Sequence, residues 1–340
     1  MRLPARFVDG LRPKFEGRSV CVTGGCGFIG GHLVDALLSL GASIAVLDDC
    51  SNATAEHVCE LIDLEPERVR FVRGSILDDK ALATALRGAD VVFHLAAIGS
   101  VQLSIDDPER AWLVNATGTM RVLGAAGASG VTRVVNSSSS SVYGNAPELP
   151  KVESAAPEPA SPYAASKLAG EALCRAWSET HGLGTVSLRY FNVFGPRQRD
   201  DSDYAAVVPA FAKALLEGNA PTIFGDGSQT RDFTPVCNAV AANLLAADRD
   251  LRGNAINIGL GTRLSVRELA ESMIAELGEP GTSPILAPAR SGEVRDSLAS
   301  ISEARAAIGY EPIITFEEGL AETAAWYRDR SALDAGRSRG

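Results

Sequence analysis

The sequence lacks the features that mark several classes of protein. No apolar run approaches the ~20 residues that a membrane-spanning helix needs, and the first seventeen residues contain no apolar segment of the kind found in secretory signals. The six cysteines form no CxxC pair, and the four histidines form no HxH or HxxxH pair. We therefore expect reduced thiols, a cytoplasmic location, no disulfide framework and no metal site.

An excess of positive charge is also missing. The 32 basic and 42 acidic side chains give a formal net charge of −10, which argues against binding of nucleic acid through a basic face. A polyphosphate ligand remains compatible with this charge, because a few local cations and a helix N-terminus can hold one. At 340 residues, the chain is long enough to bury a large core and to form two lobes.

Buried-strand patterns alternate with helical patterns through the first half of the chain. The strand-like segments are 18–23, 43–47, 69–73, 91–95, 133–136 and 185–189. This alternation predicts an α/β fold with a Rossmann-type, doubly wound parallel sheet and a smaller α/β lobe. We expect a dinucleotide-binding domain over 1–190, with a peripheral N-terminal extension over 1–16. The smaller, substrate-binding lobe is expected mainly over 191–330, with some chain returning to the first domain, and a flexible tail over 331–340.

A glycine-rich turn stands between the first predicted strand and the first predicted helix. It carries Gly24, Gly27 and Gly30, whose spacing lets the backbone approach a pyrophosphate at the N-terminus of the helix. Asp48 ends the second strand eighteen residues after Gly30. Its carboxylate is placed to accept hydrogen bonds from an adenosine ribose and would repel a 2′-phosphate. The sequence therefore predicts NAD rather than NADP.

A candidate acid/base lies in the segment that follows the fifth strand. Tyr163 and Lys167 are four residues apart, so they share one face of a helix. A lysine ammonium beside a phenol lowers the pKa of the phenol, which favours proton transfer near neutral pH. The five serines from 137 to 141 follow an apolar strand. We interpret them as a strand-end loop of an active site rather than as a linker.

Taken together, the motifs of this chain resemble the extended short-chain dehydrogenase/reductase family, and within it the NAD-dependent nucleotide-sugar 4-epimerases of the UDP-N-acetylglucosamine type. The resemblance covers about residues 17–327. It is carried by TGGCGFIGGHL (23–33), VLDDCSN (46–52), FHLAA (93–97), NATGT (115–119), SSSSSVYG (137–144), SPYAASKLAGE (161–171), LRYFNVFGPRQ (188–198), FGDGSQTRDF (224–233) and INIGLG (256–261).

The resemblance implies a role for each residue that matches a family motif. Tyr163 is the acid/base, Lys167 holds the nicotinamide ribose, and Ser139 binds O4 of the sugar. NAD is expected to contact Tyr163 and Lys167. Its other expected contacts are Gly24, Gly27, Phe28, Ile29, Gly30, Asp48, Asp49, Ser51, Asn52, Ser75, Ile76, Leu95, Ala96, Ala97 and Tyr190. The UDP-sugar is expected to contact Ser139, Ser140, Tyr163, Asn192, Val207, Val208, Thr222, Ile223, Phe224, Arg231, Arg290, Glu293 and Ser297.

The chain departs from the family pattern at a few positions. Ser75 stands where the family usually has an acid that reaches the adenine, and Pro235 and Cys237 stand where a Tyr or His and an acid are common. Dehydratases and decarboxylases that resemble this chain carry Glu two residues before the loop tyrosine, and dehydratases carry Asp before that Glu. Ser141 and Ser140 occupy these positions here, and a hydroxyl cannot serve unaided as a base at C5 or C6.

The resemblance therefore implies a homodimeric UDP-sugar 4-epimerase with tightly bound NAD. Ser297 lies seven residues after Arg290, where 4-epimerases that exclude N-acetyl sugars carry Tyr. The smaller side chain favours UDP-N-acetylglucosamine and UDP-N-acetylgalactosamine, with UDP-glucose and UDP-galactose as a further pair. The alternatives are a UDP-glucuronic acid 4-epimerase, another nucleotide-sugar dehydratase, decarboxylase or ketoreductase, and an inactive NAD-sensing protein.

Overall fold

The structure is a computed structural model that describes residues 3–200, 206–289 and 295–337, with side chains described as far as Leu333. Its strands are β1 Ser19–Thr23, β2 Ser43–Asp48, β3 Val69–Arg73, β4 Val91–His94, β5 Arg133–Ser139, β6 Gly184–Tyr190, β7 Val193–Phe194, β8 Thr222–Phe224, β9 Thr230–Arg231, β10 Thr234–Pro235, β11 Arg252–Ile258, β12 Leu264–Ser265 and β13 Ile285–Ala287.

The helices cover both faces of the central sheet and most of the second lobe. They are α1 Ala5–Phe15, α2 Phe28–Ser39, α3 Glu56–Leu64, α4 Asp79–Ala85, α5 Val101–Asp106, α6 Pro108–Trp112, α7 Gly118–Ala128, α8 Pro162–His181, α9 Val207–Leu216, α10 Val236–Ala247, α11 Val266–Leu277, α12 Ser302–Ile308 and α13 Phe316–Arg337. A π-helical turn spans Leu113–Thr117 and a 3₁₀ turn spans Ser140–Tyr143.

The central sheet has seven parallel strands in the order β3-β2-β1-β4-β5-β6-β11. This confirms the predicted doubly wound α/β fold. Strand β11 comes from the second half of the chain and pairs with β6, so that part of the chain returns to the first sheet. The other described strands form two-stranded pairs, β7 with β10, β8 with β13 and β9 with β12.

Alternate residues of each strand pack against different helices. Val20 and Val22 of β1 belong to a cluster with residues of α1, α2, α10 and α12, whereas Cys21 belongs to a cluster with residues of α4, α7 and α8. Burial on both faces explains why the strands are apolar almost throughout, as is typical of parallel sheets. A third cluster joins α9, α11 and α13 in the second lobe.

Two residues of the N-terminal extension pack into the core, although we expected the extension over 1–16 to be peripheral. Leu11 is 7% exposed and Phe15 is fully buried in α1. Phe7, Leu11 and Phe15 recur at intervals of four, so one face of this helix joins the apolar cluster of α2 and α10. At the other end of the chain, α13 continues to Arg337 and thus into the segment that we expected to be a flexible tail.

Within the part of the chain that the structure describes, we find no helix with the length and apolar character needed to cross a bilayer.

Candidate active site

The predicted site residues gather at the carboxyl edge of the central sheet. Thr23, Asp48, His94, Ser139 and Tyr190 are the last residues of β1, β2, β4, β5 and β6. In an open parallel sheet, ligands bind beyond this edge at the point where the strand order reverses. The reversal here lies between β1 and β4, directly beside the glycine-rich turn.

The glycine-rich turn leaves no room for side chains on its inner side. Gly24 has φ +72°, and a Cβ there would lie 2.6 Å from the backbone nitrogen of Ala96. A Cβ on Gly30 would lie 2.1 Å from the carbonyl oxygen of Gly24. Helix α2 begins immediately after Gly27, with Phe28 and Ile29 in its first turn. The turn therefore presents the helix N-terminus to an incoming phosphate group, which fits a dinucleotide.

Asp48 is held by two backbone N–H groups of the loops around it. Its Oδ2 accepts a hydrogen bond from Cys26 (3.0 Å), and its Oδ1 accepts one from Cys50 (2.9 Å). Burial raises the pKa of Asp48, and the two backbone donors oppose this rise. Since a carboxylate has about four acceptor positions, one position remains on each oxygen. This pair of positions suits the two hydroxyls of an adenosine ribose.

The remaining residues expected to contact NAD line the same edge of the sheet. Asp49 accepts a hydrogen bond from the backbone of Ser51, and the Asn52 carbonyl accepts one from Arg199. The hydroxyl of Ser75 accepts a bond from the Leu77 backbone, before the N-terminus of α4. The loop Leu95, Ala96 and Ala97 follows β4, and the backbone of its first two residues donates to Thr23. Ile76 is buried against Gly118 of α7.

His94 is a structural residue of this edge. Its Nδ1 lies 2.8 Å from the hydroxyl of Thr23, and its Nε2 lies 3.0 Å from the hydroxyl of Thr119. Burial and, next, the charge of Lys167 lower the pKa of His94 to about 3. The imidazole is therefore neutral, and it ties β1 and β4 to α7 rather than carrying a proton.

The structure brings Ser139, Tyr163 and Lys167 together between the end of β5 and the start of α8. Ser161 caps this helix, and the backbone N–H of Tyr163 donates to Ser104 (3.0 Å). The Nζ of Lys167 lies 5.9 Å from the centre of the Tyr163 ring and donates to the carbonyl of Ser137 (2.8 Å). Both side chains thus face the serines at the end of β5, as the four-residue spacing predicts. Ser137, Ser138 and Ser139 belong to this strand rather than to the loop that we expected.

Burial opposes the fall in the pKa of Tyr163 that the sequence predicts. Burial raises the pKa of the Tyr163 phenol, and only the hydroxyl of Ser139 opposes the rise. The ammonium of Lys167 is itself buried, which lowers its pKa to about 8, and the neighbouring Glu171 carboxylate opposes that fall. Since loss of hydration acts on both groups, the phenol needs further positive charge at the site before it can ionise near neutral pH.

Sequence reasoning missed a buried polar cluster behind the site, which we call the Glu171 cluster: Ser138, Tyr143, Glu171, Arg189 and Asn257. Arg189 donates to both carboxylate oxygens of Glu171, at 2.9 Å and 2.7 Å, and to the Tyr143 hydroxyl at 2.7 Å. Tyr143 in turn donates to Asn257, and Ser138 donates to Glu171. The sequence did carry a signal for this cluster. Glu171 and Arg189 are opposite charges in otherwise buried segments, and Glu171 lies one helical turn after Lys167.

The residues expected to contact the sugar nucleotide divide between the sheet edge and the second lobe. Asn192 follows β6 with φ +26°, an unusual value for a residue other than glycine. Tyr190, which is an expected NAD contact, is buried, and its hydroxyl lies between Ser137 and Asn243. Burial raises the pKa of Tyr190 to about 12. Val207 and Val208 begin α9, while Thr222, Ile223 and Phe224 form β8.

Arg231 and Ser297 both donate a hydrogen bond to the backbone carbonyl of Thr230, a residue of β9. Arg231 donates to the carbonyls of Thr230 (2.9 Å) and Arg295 (2.7 Å). Ser297 is 6% exposed, and its backbone N–H donates to the carbonyl of Thr230 (3.0 Å). Arg290 and Glu293, which the sequence also predicts as substrate contacts, lie outside the described residues.

Comparison with known proteins gives a consistent result. The NAD dependent epimerase/dehydratase family matches residues 20–259. A UDP-glucose 4-epimerase of Mycolicibacterium smegmatis is 40% identical over 91% of this chain and 98% of that protein. A dTDP-glucose 4,6-dehydratase of Streptomyces niveus is 34% identical over 92% of this chain and 94% of that protein.

Among solved structures, a UDP-N-acetylglucosamine 4-epimerase of Methanobrevibacter ruminantium is similar with a TM-score of 0.87 and 38% identity, over 93% of this chain and 99% of that chain. That structure is a complex with UDP-N-acetylmuramic acid.

Proposed function

The chain belongs to the NAD-dependent epimerase/dehydratase family, and we propose that within this family it is a UDP-sugar 4-epimerase. Membership makes it an enzyme that uses NAD. The observation that carries the finer proposal is a pairing of features at the end of β5. Ser139, Tyr163 and Lys167 lie together there, whereas the two positions before Val142 that would hold the acids of a dehydratase are Ser140 and Ser141.

The buried carboxylate nearest in sequence to the candidate catalytic pair does not replace the missing acids. Both oxygens of Glu171 accept hydrogen bonds from Arg189, and one of them also accepts from Ser138. A carboxylate held in this way by a guanidinium is stabilised in its charged form and is a poor proton acceptor. The elimination and decarboxylation reactions of the related enzymes are therefore disfavoured here.

The chain's own residues can move the proton that a 4-epimerisation requires. NAD, when bound, supplies the hydride acceptor for C4 of the sugar and a positive charge beside Tyr163. Tyr163 as phenolate takes the proton of the O4 hydroxyl and later returns it. Ser139 hydrogen-bonds to O4, and Lys167, held by the carbonyl of Ser137, keeps its charge next to the phenolate. The hydride acceptor is restored in each cycle, so we expect NAD to remain bound.

We propose that residues 1–190 bind NAD and that residues 191–330 mainly bind the UDP-sugar. Asn192 and Arg231 are the proposed diphosphate contacts among the described residues, and guanidinium groups suit phosphate oxygens geometrically. The Nη1 of Arg231 donates to two backbone carbonyls, which holds the guanidinium beside β9. Arg290 and Glu293 are proposed as further contacts from the motif match alone.

The proposed substrates are UDP-N-acetylglucosamine and UDP-N-acetylgalactosamine, with UDP-glucose and UDP-galactose as a second pair. The contact of Ser297 with the Thr230 carbonyl supports this choice, because it sets Ser297 beside the strand that carries Arg231. Serine lacks the phenol ring of tyrosine, so its side chain would crowd an acetamido group less. The solved relative that is a UDP-N-acetylglucosamine 4-epimerase supports the first pair, and the relative that is a UDP-glucose 4-epimerase supports the second.

We also propose a homodimer, because apolar side chains are exposed along the helices next to α8. They are Val101, Leu103, Ile105, Trp112, Leu113 and Met120. A shallow depression of about 550 Å³ lies between Trp112, Leu113, Pro162 and Ala165. Exposed apolar side chains on neighbouring helices are typical of an interaction site. A second copy of the same helices would cover it.

A cytoplasmic location is proposed on chemical grounds. The six cysteines are all free thiols in the structure, including the buried Cys21, Cys174 and Cys237. Free thiols are typical of proteins that work in a reducing compartment.

The function is tested by supplying a panel of UDP-hexoses without added NAD. We expect the purified enzyme to convert UDP-N-acetylglucosamine and UDP-N-acetylgalactosamine into one another, with no net NADH and no 4-keto-6-deoxy product. NMR of the sugar protons separates these products. A 4-keto-6-deoxy sugar, or release of CO₂ from a UDP-uronic acid, would assign the enzyme to one of the related activities instead.

Tyr163→Phe should lower kcat by at least ~10²–10³-fold, which is the scale of losing a general base. The substitution removes only the hydroxyl, so packing of the ring is retained. Tyr327→Phe is the matched control, since its hydroxyl bonds to the Gln198 carbonyl in the second lobe. A folded Tyr163→Phe enzyme with more than about a tenth of the wild-type rate would contradict the assigned role.

Ser297→Tyr should overfill the pocket on the acetamido side, at a cost of ~1–3 kcal/mol. This corresponds to a loss of roughly 5- to 150-fold in kcat/KM for the N-acetyl sugars, with UDP-glucose much less affected. Ser302→Tyr, at an exposed serine of α12, is the control. Equal losses on both kinds of sugar would show that Ser297 does not set specificity.

Trp112→Glu should convert a dimer into monomers, because it places a charge within the proposed interface. Light scattering should give about twice the chain mass of 35.6 kDa for the wild type and the single mass for the variant. Leu64→Glu is the control, as Leu64 is exposed on α3, outside this group of side chains. A monomeric wild type would rule out the proposal.

A further inference from the structure

Three potential metal ligands converge at the adenosine end of the candidate cofactor site. The thiols of Cys26 and Cys50 and a carboxylate oxygen of Asp48 all lie within 4.8 Å of one another. Among the residues that the structure describes, no other three donor atoms of His, Cys, Asp or Glu meet in this way. The sequence showed no such site, because Cys26 and Cys50 are 24 residues apart and belong to different loops.

The fold fixes this meeting point through backbone hydrogen bonds. Strands β1 and β2 are parallel neighbours, so the loops that follow them leave the sheet side by side. Cys26 lies in the glycine-rich turn after β1, and Cys50 lies two residues after the end of β2. Each donates its N–H to a different oxygen of Asp48, which holds both cysteines around the carboxylate. Cys50 has φ +55°, a left-handed conformation that is uncommon outside glycine.

The donor set suits a thiophilic divalent cation. Zn²⁺ binds thiolate sulfur at about 2.3 Å in tetrahedral geometry, so two sulfur ligands lie ~3.8 Å apart. Donor atoms that already lie within 4.8 Å of one another would need to approach by only about 1 Å. Cys26 and Cys50 are both partly exposed, so an ion has access, and water can complete the coordination.

Thiolates at Cys26 and Cys50 would repel each other and the Asp48 carboxylate, because the three donor atoms lie within 4.8 Å of one another. A divalent cation reverses this repulsion, because each donor then interacts with the ion. Binding would convert two thiols to thiolates and release up to two protons, while the carboxylate enters already ionised.

We propose that Cys26, Asp48 and Cys50 form a binding site for a thiophilic divalent cation such as Zn²⁺, and that this cation and NAD exclude each other. The first part rests on the geometry of the three side chains alone. The second part also rests on the proposed role of Asp48 as the acceptor for the adenosine ribose.

Exclusion follows from the number of acceptor positions on Asp48. A carboxylate offers about four, and the backbone N–H groups of Cys26 and Cys50 take one on each oxygen. The two that remain are those that a ribose diol would use. A cation bound to either oxygen takes at least one of them, so a metal-loaded chain cannot hold the ribose in full. The site would thus make cofactor loading sensitive to thiophilic metals.

The site is tested on the reduced full-length protein with Co²⁺ as the probe, which reports thiolate ligation through charge-transfer absorption. NAD is first removed, and one Co²⁺ per chain is expected to bind with this absorption and with release of protons. Cys26→Ser and Cys50→Ser should each weaken binding by more than ~10-fold, since even loss of an outer partner of a metal ligand has that effect. Zn²⁺ should displace Co²⁺ from the wild type.

Cys59→Ser is the matched control for chance binding to surface thiols. Cys59 is the exposed cysteine of α3 and lies near enough to Cys26 to act on its charge, but it is not one of the three converging donors. This variant should therefore bind Co²⁺ like the wild type. Wild-type affinity in Cys26→Ser or Cys50→Ser, or loss of binding only in Cys59→Ser, would overturn the site.

Saturation of the wild type with NAD before the titration tests exclusion without any variant. We expect the Co²⁺ absorption to fall as NAD is added, and full Co²⁺ uptake by NAD-saturated protein would overturn the exclusion. This titration uses only the wild type, so it still tests the proposal if Cys26→Ser or Cys50→Ser fails to fold. Because no UDP-sugar is present, the result does not depend on whether the enzyme is a 4-epimerase.

Discussion

The contact of α8 with the ends of β5 and β6 is the constraint on which the active site depends. Lys167 reaches the carbonyl of Ser137, and Glu171, one turn further along the helix, forms a two-point ion pair with Arg189 of β6. Both partners of this pair are less than 10% exposed. Removing one partner of such a buried pair leaves an uncompensated charge and destabilises a protein by about 3–5 kcal/mol. The pair therefore fixes the position of α8, and with it the position of Tyr163 relative to Ser139.

The parts of the fold and site that could be predicted from the sequence are those with a local signature. Apolar runs separated by helical periodicity predicted the parallel sheet, and a triplet of glycines predicted the turn before α2. The four-residue spacing of Tyr163 and Lys167 placed both on one helix face. The Glu171 cluster has no such signature, because its members come from distant segments and meet only through the pairing of β5, β6 and β11. The burial of Phe15 does have a local signature, because Phe7, Leu11 and Phe15 recur every four residues on one face of α1.

Two features of the site depend on burial and strand register, which the spacing of residues does not encode. The sequence predicted a phenol with a lowered pKa, yet burial raises the pKa of Tyr163 and lowers that of Lys167. Proton transfer thus depends on charge that arrives with the ligands, which would keep Tyr163 unreactive in their absence. Cys26 and Cys50 likewise come together only because β1 and β2 are adjacent. Both features couple the chemistry of the site to what occupies the cofactor position.

The central claim is that hydrogen leaves C4 of a UDP-sugar and returns to the same carbon. The most direct test is to supply UDP-N-acetylglucosamine that carries deuterium at C4 and to analyse the product by NMR and mass spectrometry. The account predicts UDP-N-acetylgalactosamine that retains deuterium at C4 and acquires none from deuterated water in a parallel experiment. Deuterium found at C6 of a 4-keto sugar, or exchanged into solvent, would contradict it.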